Sequence, residues 1–352
     1  QLKYLPRVLN TKERRWFFGA SLVLLVALIV FAVNFVKNHL ELAPARGGEY
    51  SEALVGSPKY INPLYNFNRD LDMDLSRLIF SSLFKRDNQG VMQPDLVSEY
   101  SVSADGKSYT LKIRDDVKFH NNTKLTVDDV IFTFSAIKDA AYDSPYRRVF
   151  LGAEVEKVDD NTVQFNLAEP YSAFLELLSF GILPQELWGN VSPETAVLSD
   201  FNLKPVGSGP FQFRSLSKNK NGEIKEYVLE ANDDYYEHRA YLDRITFKFY
   251  PNVDEATSAL NNNEVDGLGY LSVAQKKEVL AKNSLHFYNV SWPQLSALFF
   301  NKKGNVFLAD TKVRQALTLA IDRQQIVNDV FGDSAEVADG PIWNHSFVVG
   351  PD

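Results

Sequence analysis

The residues able to do covalent or metal chemistry are few and far apart in this chain. There is no cysteine among its 352 residues, so disulfides, zinc–thiolate sites and thiol nucleophiles are excluded. The five histidines stand at 39, 120, 238, 286 and 345, without the H-E-x-x-H spacing that puts two imidazoles on one helix face. Asp70, Asp72 and Asp74 alternate like the start of a calcium loop, but Leu75 and Ser81 stand where that loop needs Gly and Glu. They read as residues of a helix. Gly106-Lys107-Ser108 ends like a phosphate-binding loop, yet Ser101 occupies the position of its first glycine. No G-x-S-x-G elbow occurs, and Asp115-Asp116, Asp159-Asp160 and Asp233-Asp234 read as turn and edge charges. No catalytic residue, metal site or cofactor is expected.

Binding signals are better. The chain carries 16 Tyr and 25 Phe, and aromatic rings suit a cleft that accepts varied side chains, although most of them are read as core. The residues chosen as ligand-binding lie at expected strand ends, where open α/β sheets bind ligands. They are Tyr60, Asn62 and Pro63 in one loop, Gly207, Ser208 and Gly209 in a turn, then Tyr270 and Trp292.

The elements that would position them are organised around residues 109–134. Tyr109, Leu111 and Ile113 alternate with Thr110, Lys112 and Arg114, which predicts a half-buried strand. Val127, Val130, Ile131, Phe134 and Ile137 then recur at helical steps. Thr126 is a good N-cap, with Asp129 three residues on in the place of a capping-box Glu. Hairpins are expected around Asp105-Gly106, Asp159-Asp160-Asn161 and Asn221-Gly222. Helices are expected over 70–84, 171–180 and 310–320, and strands over 49–55, 242–250 and 295–301. Asp322 caps a further helix that ends at Gly332.

The N-terminus differs in kind. Trp16 to Val36 is a run of 21 residues without a charge. At about 1.5 Å per residue it spans the roughly 30 Å apolar core of a bilayer. Five basic residues precede it, against Lys37 and Arg46 after it, which puts the N-terminus in the cytoplasm and the body outside. An uncleaved signal-anchor in the cell membrane is expected, because the run exceeds the usual ~7–15 residues of a signal-peptide core. Cleavage at Ala43-Pro44-Ala45 is the rival. Residues 1–46 carry seven basic and two acidic residues, which leaves −13 of the total −8 on the rest. An acidic body argues against nucleic-acid binding.

Three stretches carry a resemblance. Lys118-Phe119-His120, Leu125-Thr126 and Asp129-Val130 form the first, with Asn122 in place of the usual Gly, Lys124 for Pro and Val127 for Ala. Gly207-Ser208-Gly209-Pro210-Phe211 is the second. The third is Asp310, Val313-Arg314-Gln315-Ala316-Leu317, Ala320-Ile321-Asp322-Arg323 and Ile326. Together they resemble the family 5 extracellular solute-binding proteins, the oligopeptide-, dipeptide- and nickel-binding receptors of ABC importers. The resemblance covers roughly residues 47–352. It implies an α/β, type II periplasmic-binding-protein fold: two lobes with mixed sheets, the second incomplete, preceded by one transmembrane helix. The expected division is a cytoplasmic segment 1–15, an anchor 16–36, a linker 37–48, a first lobe 49–267 with an inserted subdomain at about 84–195, and the start of a second lobe at 268–352. The family normally continues further, so a C-terminal truncation is expected. In the family, the loop matching Ile61-Asn62-Pro63 borders the ligand cleft. The implied function is capture of an oligopeptide or other small solute for ABC permease subunits, without an enzymatic step. The alternatives are a nickel- or haem-binding member, or a sensor or adhesion domain on the same fold.

Overall fold

The computed structural model describes residues 10–39, 44–87, 90–271, 275–276, 279, 285–288, 295–332, 335–338 and 340. The chain divides into two compact units, residues 1–47 and 48–352. Among the described residues the first holds one helix, α1 (Thr11–His39). Asn10 accepts from the Thr11 N–H at 2.8 Å, and the Asn10 N–H donates to the Glu13 carboxylate at 2.9 Å, the N3-to-N-cap half of a capping box. Its 29 residues make about 44 Å of helix, longer than the 16–36 run because the polar flanks are helical too. The stretch 11–37 is long and apolar enough to cross a membrane, and none of its most apolar window is buried in protein.

Among the described residues the second unit holds two larger sheets and a two-stranded one. The largest joins β1 (Glu49–Val55), β8 (Phe211–Lys218), β9 (Ile224–Ala231), β10 (Arg244–Tyr250) and β11 (Gly267–Leu268), in the order β11-β1-β10-β9-β8. β1 runs parallel to both neighbours, and the β8, β9 and β10 pairings are antiparallel. Between β1 and β8 the chain forms α2 (Asp70–Ile79), a small hairpin of β2 (Phe84–Arg86) and β3 (Met92–Pro94), and a second sheet. That sheet holds β4 (Val97–Val102), β5 (Ser108–Ile113), β6 (Ala153–Lys157) and β7 (Thr162–Leu167), all antiparallel, in the order β4-β5-β7-β6. It lies within the stretch read as an inserted subdomain.

The organising stretch folds as its pattern predicts. Tyr109, Leu111 and Ile113 point inward from β5, and α3 (Val127–Lys138) buries Val127, Val130, Phe134 and Ile137. Phe134 is the hub, with its ring 4.7 Å from Phe165, 4.9 Å from Phe180 and 5.2 Å from Phe150. Each such ring contributes roughly 1.5–3 kcal/mol by leaving water. Asp129 accepts from the Thr126 N–H at 2.7 Å, as the cap reading requires, and also from the Gln185 N–H at 2.8 Å. Asn122, standing where the resembled family has glycine, adopts a positive φ of 68°, and Asn263 one of 58°.

Three expectations are corrected. α2 stops at Ile79 instead of reaching Phe84, since Phe80 turns to extended backbone and the Ile79 carbonyl accepts from the Gly209 N–H at 2.8 Å. A competing donor ends the helix, a cause invisible to its own periodicity. Between 171 and 180 only Phe174–Leu177 closes a helical turn. Residues 295–300 belong to no strand: Leu298 and Phe299 are exposed, with no neighbouring strand paired to them among the described residues. The final described helices include α5 (Thr311–Leu319), preceded in chain order by α4 (Val253–Asn261). α5 buries none of its residues.

Candidate functional site

The parallel alignment of β1 with β11 sends two of the chosen residues to one edge of the large sheet. Ala53 pairs with Leu268, so Tyr60 and Tyr270 both follow carboxyl ends of neighbouring strands, the usual ligand edge of an open α/β sheet. The loop after β1 is held by Asp72 of α2. This buried carboxylate accepts from the Lys59 N–H at 2.9 Å, from the Tyr60 N–H at 3.0 Å and from the Arg69 guanidinium. The half-buried Tyr60 ring lies 5.7 Å from Tyr65, with Lys59 Nζ 5.0 Å and the Arg69 guanidinium 5.9 Å from its centroid. Cations at these distances are attracted to the ring face. Asn62 and Pro63, by contrast, are buried. The Asn62 amide donates to Asn202 at 3.0 Å and accepts from the Leu64 N–H at 2.9 Å. It therefore shapes the loop from inside.

Tyr270 is 62% exposed and sits at φ 62°, unusual for a residue with a β-carbon. Its hydroxyl donates to the Asp74 carboxylate. Burial raises the Asp74 carboxyl above its ordinary range, opposed by the Tyr270 hydrogen bond and by Arg77; Arg77 lies 3.5 Å away. Glu52 of β1 is raised as well, first by burial and then by Asp74. Space here depends on glycine: a β-carbon on Gly269 would come within 2.9 Å of the Glu52 carboxylate. Trp292 lies outside the described residues.

Gly207, Ser208 and Gly209 stand elsewhere. They enter β8, whose first residue Phe211 pairs with Ala231; the same end of the sheet holds Arg244 and Glu49. That is the amino edge of β1, the opposite edge from Tyr60 and Tyr270. The turn packs backbone to backbone on the end of α2. A β-carbon on Gly207 would sit 2.0 Å from the Ile79 carbonyl oxygen, so no larger residue fits. Ser208 is fully buried, its hydroxyl accepting from the Ser81 N–H at 3.4 Å.

His120 joins this turn to the first family stretch. Its N–H donates to the Gly207 carbonyl at 2.8 Å, its Nδ1 accepts from the Gly207 N–H at 3.2 Å, and its Nε2 lies 3.1 Å from the Gly209 carbonyl. An accepting Nδ1 carries no proton, so Nε2–H is the donor and the ring is neutral. Burial pushes its pKa down to about 4. With both nitrogens engaged, it is neither a free base nor a free metal ligand. His120 lies in a turn. Its bridge to Gly207 had no local signal.

The carboxyl edge thus offers an aromatic surface flanked by Lys59 and Arg69 on one side and Glu52, Asp70 and Asp74 on the other. Such a surface can stack apolar groups and attract charged ends; no nucleophile–base pair lies in it. Among the described residues no group of three or more His, Asp or Glu is arranged to hold a metal. Surface grooves of about 460 Å³, lined by Leu203, Phe213 and Leu216, and about 220 Å³, lined by Leu125 and Lys157, lie away from these residues.

A mixed sheet of this order, followed by a chain that leaves its carboxyl edge, is the architecture of a periplasmic binding protein. The structure is similar to that of the oligopeptide-binding protein AppA from Bacillus subtilis in complex with a nonapeptide. The TM-score is 0.69 at 32% identity, over 84% of this chain and 58% of that one. It is also similar to NikZ from Campylobacter jejuni in complex with Ni(L-His), with a TM-score of 0.68 at 29% identity over 84% and 57%. Residues 91–351 match the family model of bacterial extracellular solute-binding proteins, family 5. The chain belongs to that family, whose members are transport receptors and not enzymes. Among curated relatives it is 31% identical to the B. subtilis oligopeptide-binding protein AppA over 92% of this chain, and 30% identical to the dipeptide-binding protein of Escherichia coli over 78%. It spans 61% and 54% of their lengths.

Proposed function

We propose that this protein is a membrane-anchored, extracytoplasmic receptor that captures oligopeptides for an ABC importer. The observation that carries the reading is the likeness to AppA in its nonapeptide complex, together with an aromatic surface at the carboxyl edge of the large sheet. Tyr60 and Tyr270 are assigned to ligand contact. Asn62 and Pro63 support the Tyr60 loop from within, and Gly207, Ser208 and Gly209 brace the far end of α2. Trp292 is proposed as a further contact. α1 is assigned as the single-pass anchor, N-terminus in the cytoplasm; its length and unburied apolar surface support that.

Thermal unfolding of the full chain in detergent, with and without an equimolar mixture of tri- to nonapeptides, tests the reading. A ligand at one hundred times its Kd stabilises by about 2.7 kcal/mol, so a rise in Tm is expected. No rise with any peptide fraction would overturn it. A nickel chelate is the second reading, favoured by the likeness to NikZ. Titration calorimetry with Ni(L-His) would show heat only if that reading is correct.

A further inference from the structure

Asp70, Asp72 and Asp74 stand at alternate positions in the first turns of α2, and the last two each hold a distant segment. Asp72 reaches the chain leaving β1, taking the Lys59 and Tyr60 N–H groups at 2.9 and 3.0 Å. Asp74 takes the Tyr270 hydroxyl on the chain leaving β11. Residues two apart lie about 200° round a helix axis, so the two carboxylates grip from different sides. Their settings also differ. Asp72 has 1% of its side chain exposed and Asp74 38%.

An exposed Tyr–Asp hydrogen bond adds little to global stability. Its effect is to orient. Tyr270 sits in a left-handed backbone conformation that a tyrosine keeps only where its surroundings hold it, and its side chain is mostly in solvent. The Asp74 bond is the contact that fixes the ring. Around that bond stand Glu52 from β1, and Asp70 and Arg77 from α2 itself. On the other side, the Asp72 bonds fix the backbone beneath the Tyr60 ring, and Arg69, paired to Asp72, is turned toward that ring.

We infer that Asp72 and Asp74 are positioning residues of the ligand face, through which the rigid helix α2 sets the orientation of both Tyr60 and Tyr270. The inference rests on the proposal that these rings meet the peptide, and goes beyond it by naming what holds them. A receptor gains affinity when its contact groups are ordered before the ligand arrives, because less conformational freedom is then lost on binding.

The test places 3-fluorotyrosine at 60 and, separately, at 270 of the full chain and reads fluorine NMR spectra without ligand. Binding of a fluorescent nonapeptide and Tm are followed in parallel. Asp74→Ala is expected to move the 270 resonance, leave the 60 resonance and Tm in place, and weaken peptide binding about tenfold, mainly through faster dissociation. Asp72→Asn is expected to move the 60 resonance and not the 270 resonance. Should the buried Asp72→Asn unfold the chain, Asp74→Ala on the surface decides alone. A 270 resonance unmoved in Asp74→Ala overturns the inference. If Tyr60→Ala and Tyr270→Ala weaken binding but the aspartate variants do not, the inference falls and the ligand reading stands. If neither tyrosine variant changes the affinity, the ligand reading falls and takes the inference with it.

Discussion

His120 and Gly207, 87 residues apart, exchange two hydrogen bonds: the His120 N–H donates to the Gly207 carbonyl at 2.8 Å, and the Gly207 N–H donates to His120 Nδ1 at 3.2 Å. The second bond exists only while the imidazole is neutral. This one pair ties the corner before α3 to the turn before β8, and the turn in turn braces the last residue of α2.

Protonation of His120 should therefore cost stability in mild acid. Its folded pKa, about 4, lies below the ordinary ~6.5, so the unfolded chain takes up the proton first. The contribution is full above pH ~6.5 and declines as pH falls toward 4, by at most about 1.4 kcal/mol per pH unit. His120→Gln should unfold at lower urea concentration than the wild type at pH 7.5. Its midpoint should then fall less steeply between pH 6.5 and 4.5. Parallel pH profiles for the two proteins would refute the assignment.

Gly207→Ala should be among the most damaging small substitutions in the second unit. Its new methyl would sit 2.0 Å from the Ile79 carbonyl oxygen, a backbone atom that cannot swing away. Overpacking of this kind costs about 1–3 kcal/mol, and more where nothing yields. Gly222→Ala is the control: it has φ 82° and nothing within 4 Å of the added carbon, so the cost should be near 1 kcal/mol from backbone strain alone. Urea midpoints of both variants decide, and equal losses would count against the close-packing account.

Asp129→Ala should cost on the order of 2–4 kcal/mol, more than the ~1 kcal/mol of an ordinary helix cap. One carboxylate serves two N–H groups, Thr126 at 2.7 Å and Gln185 at 2.8 Å, and both are left without their acceptor. Hydrogen exchange should quicken at residues 126 and 185 together. Faster exchange at 126 alone would show that Asp129 is a cap and nothing more.

Much of the second unit was legible from residue order. The β5 and α3 patterns, the Thr126–Asp129 cap and the asparagine at 122 all follow from preferences acting over a few residues. The family followed from three short stretches for a similar reason: each is a local unit whose spacing is kept. The end of α2 was misread because the donor that stops it, the Gly209 N–H, comes from a segment 130 positions further along the sequence.

The site divides along the same line. Order alone singled out Tyr60, Asn62, Pro63, the Gly207–Gly209 turn and Tyr270 as residues at strand ends. It could not say at which end of which sheet, because strand order and direction are decided by pairing between distant segments. Tertiary structure set Tyr60 and Tyr270 both at the carboxyl edge and Gly207 at the amino edge, turned Asn62 inward, and gave Asp72 and Asp74 their separate partners. Local sequence sets what a segment can become; which groups then meet depends on burial of the shared core, and that is a property of the whole chain.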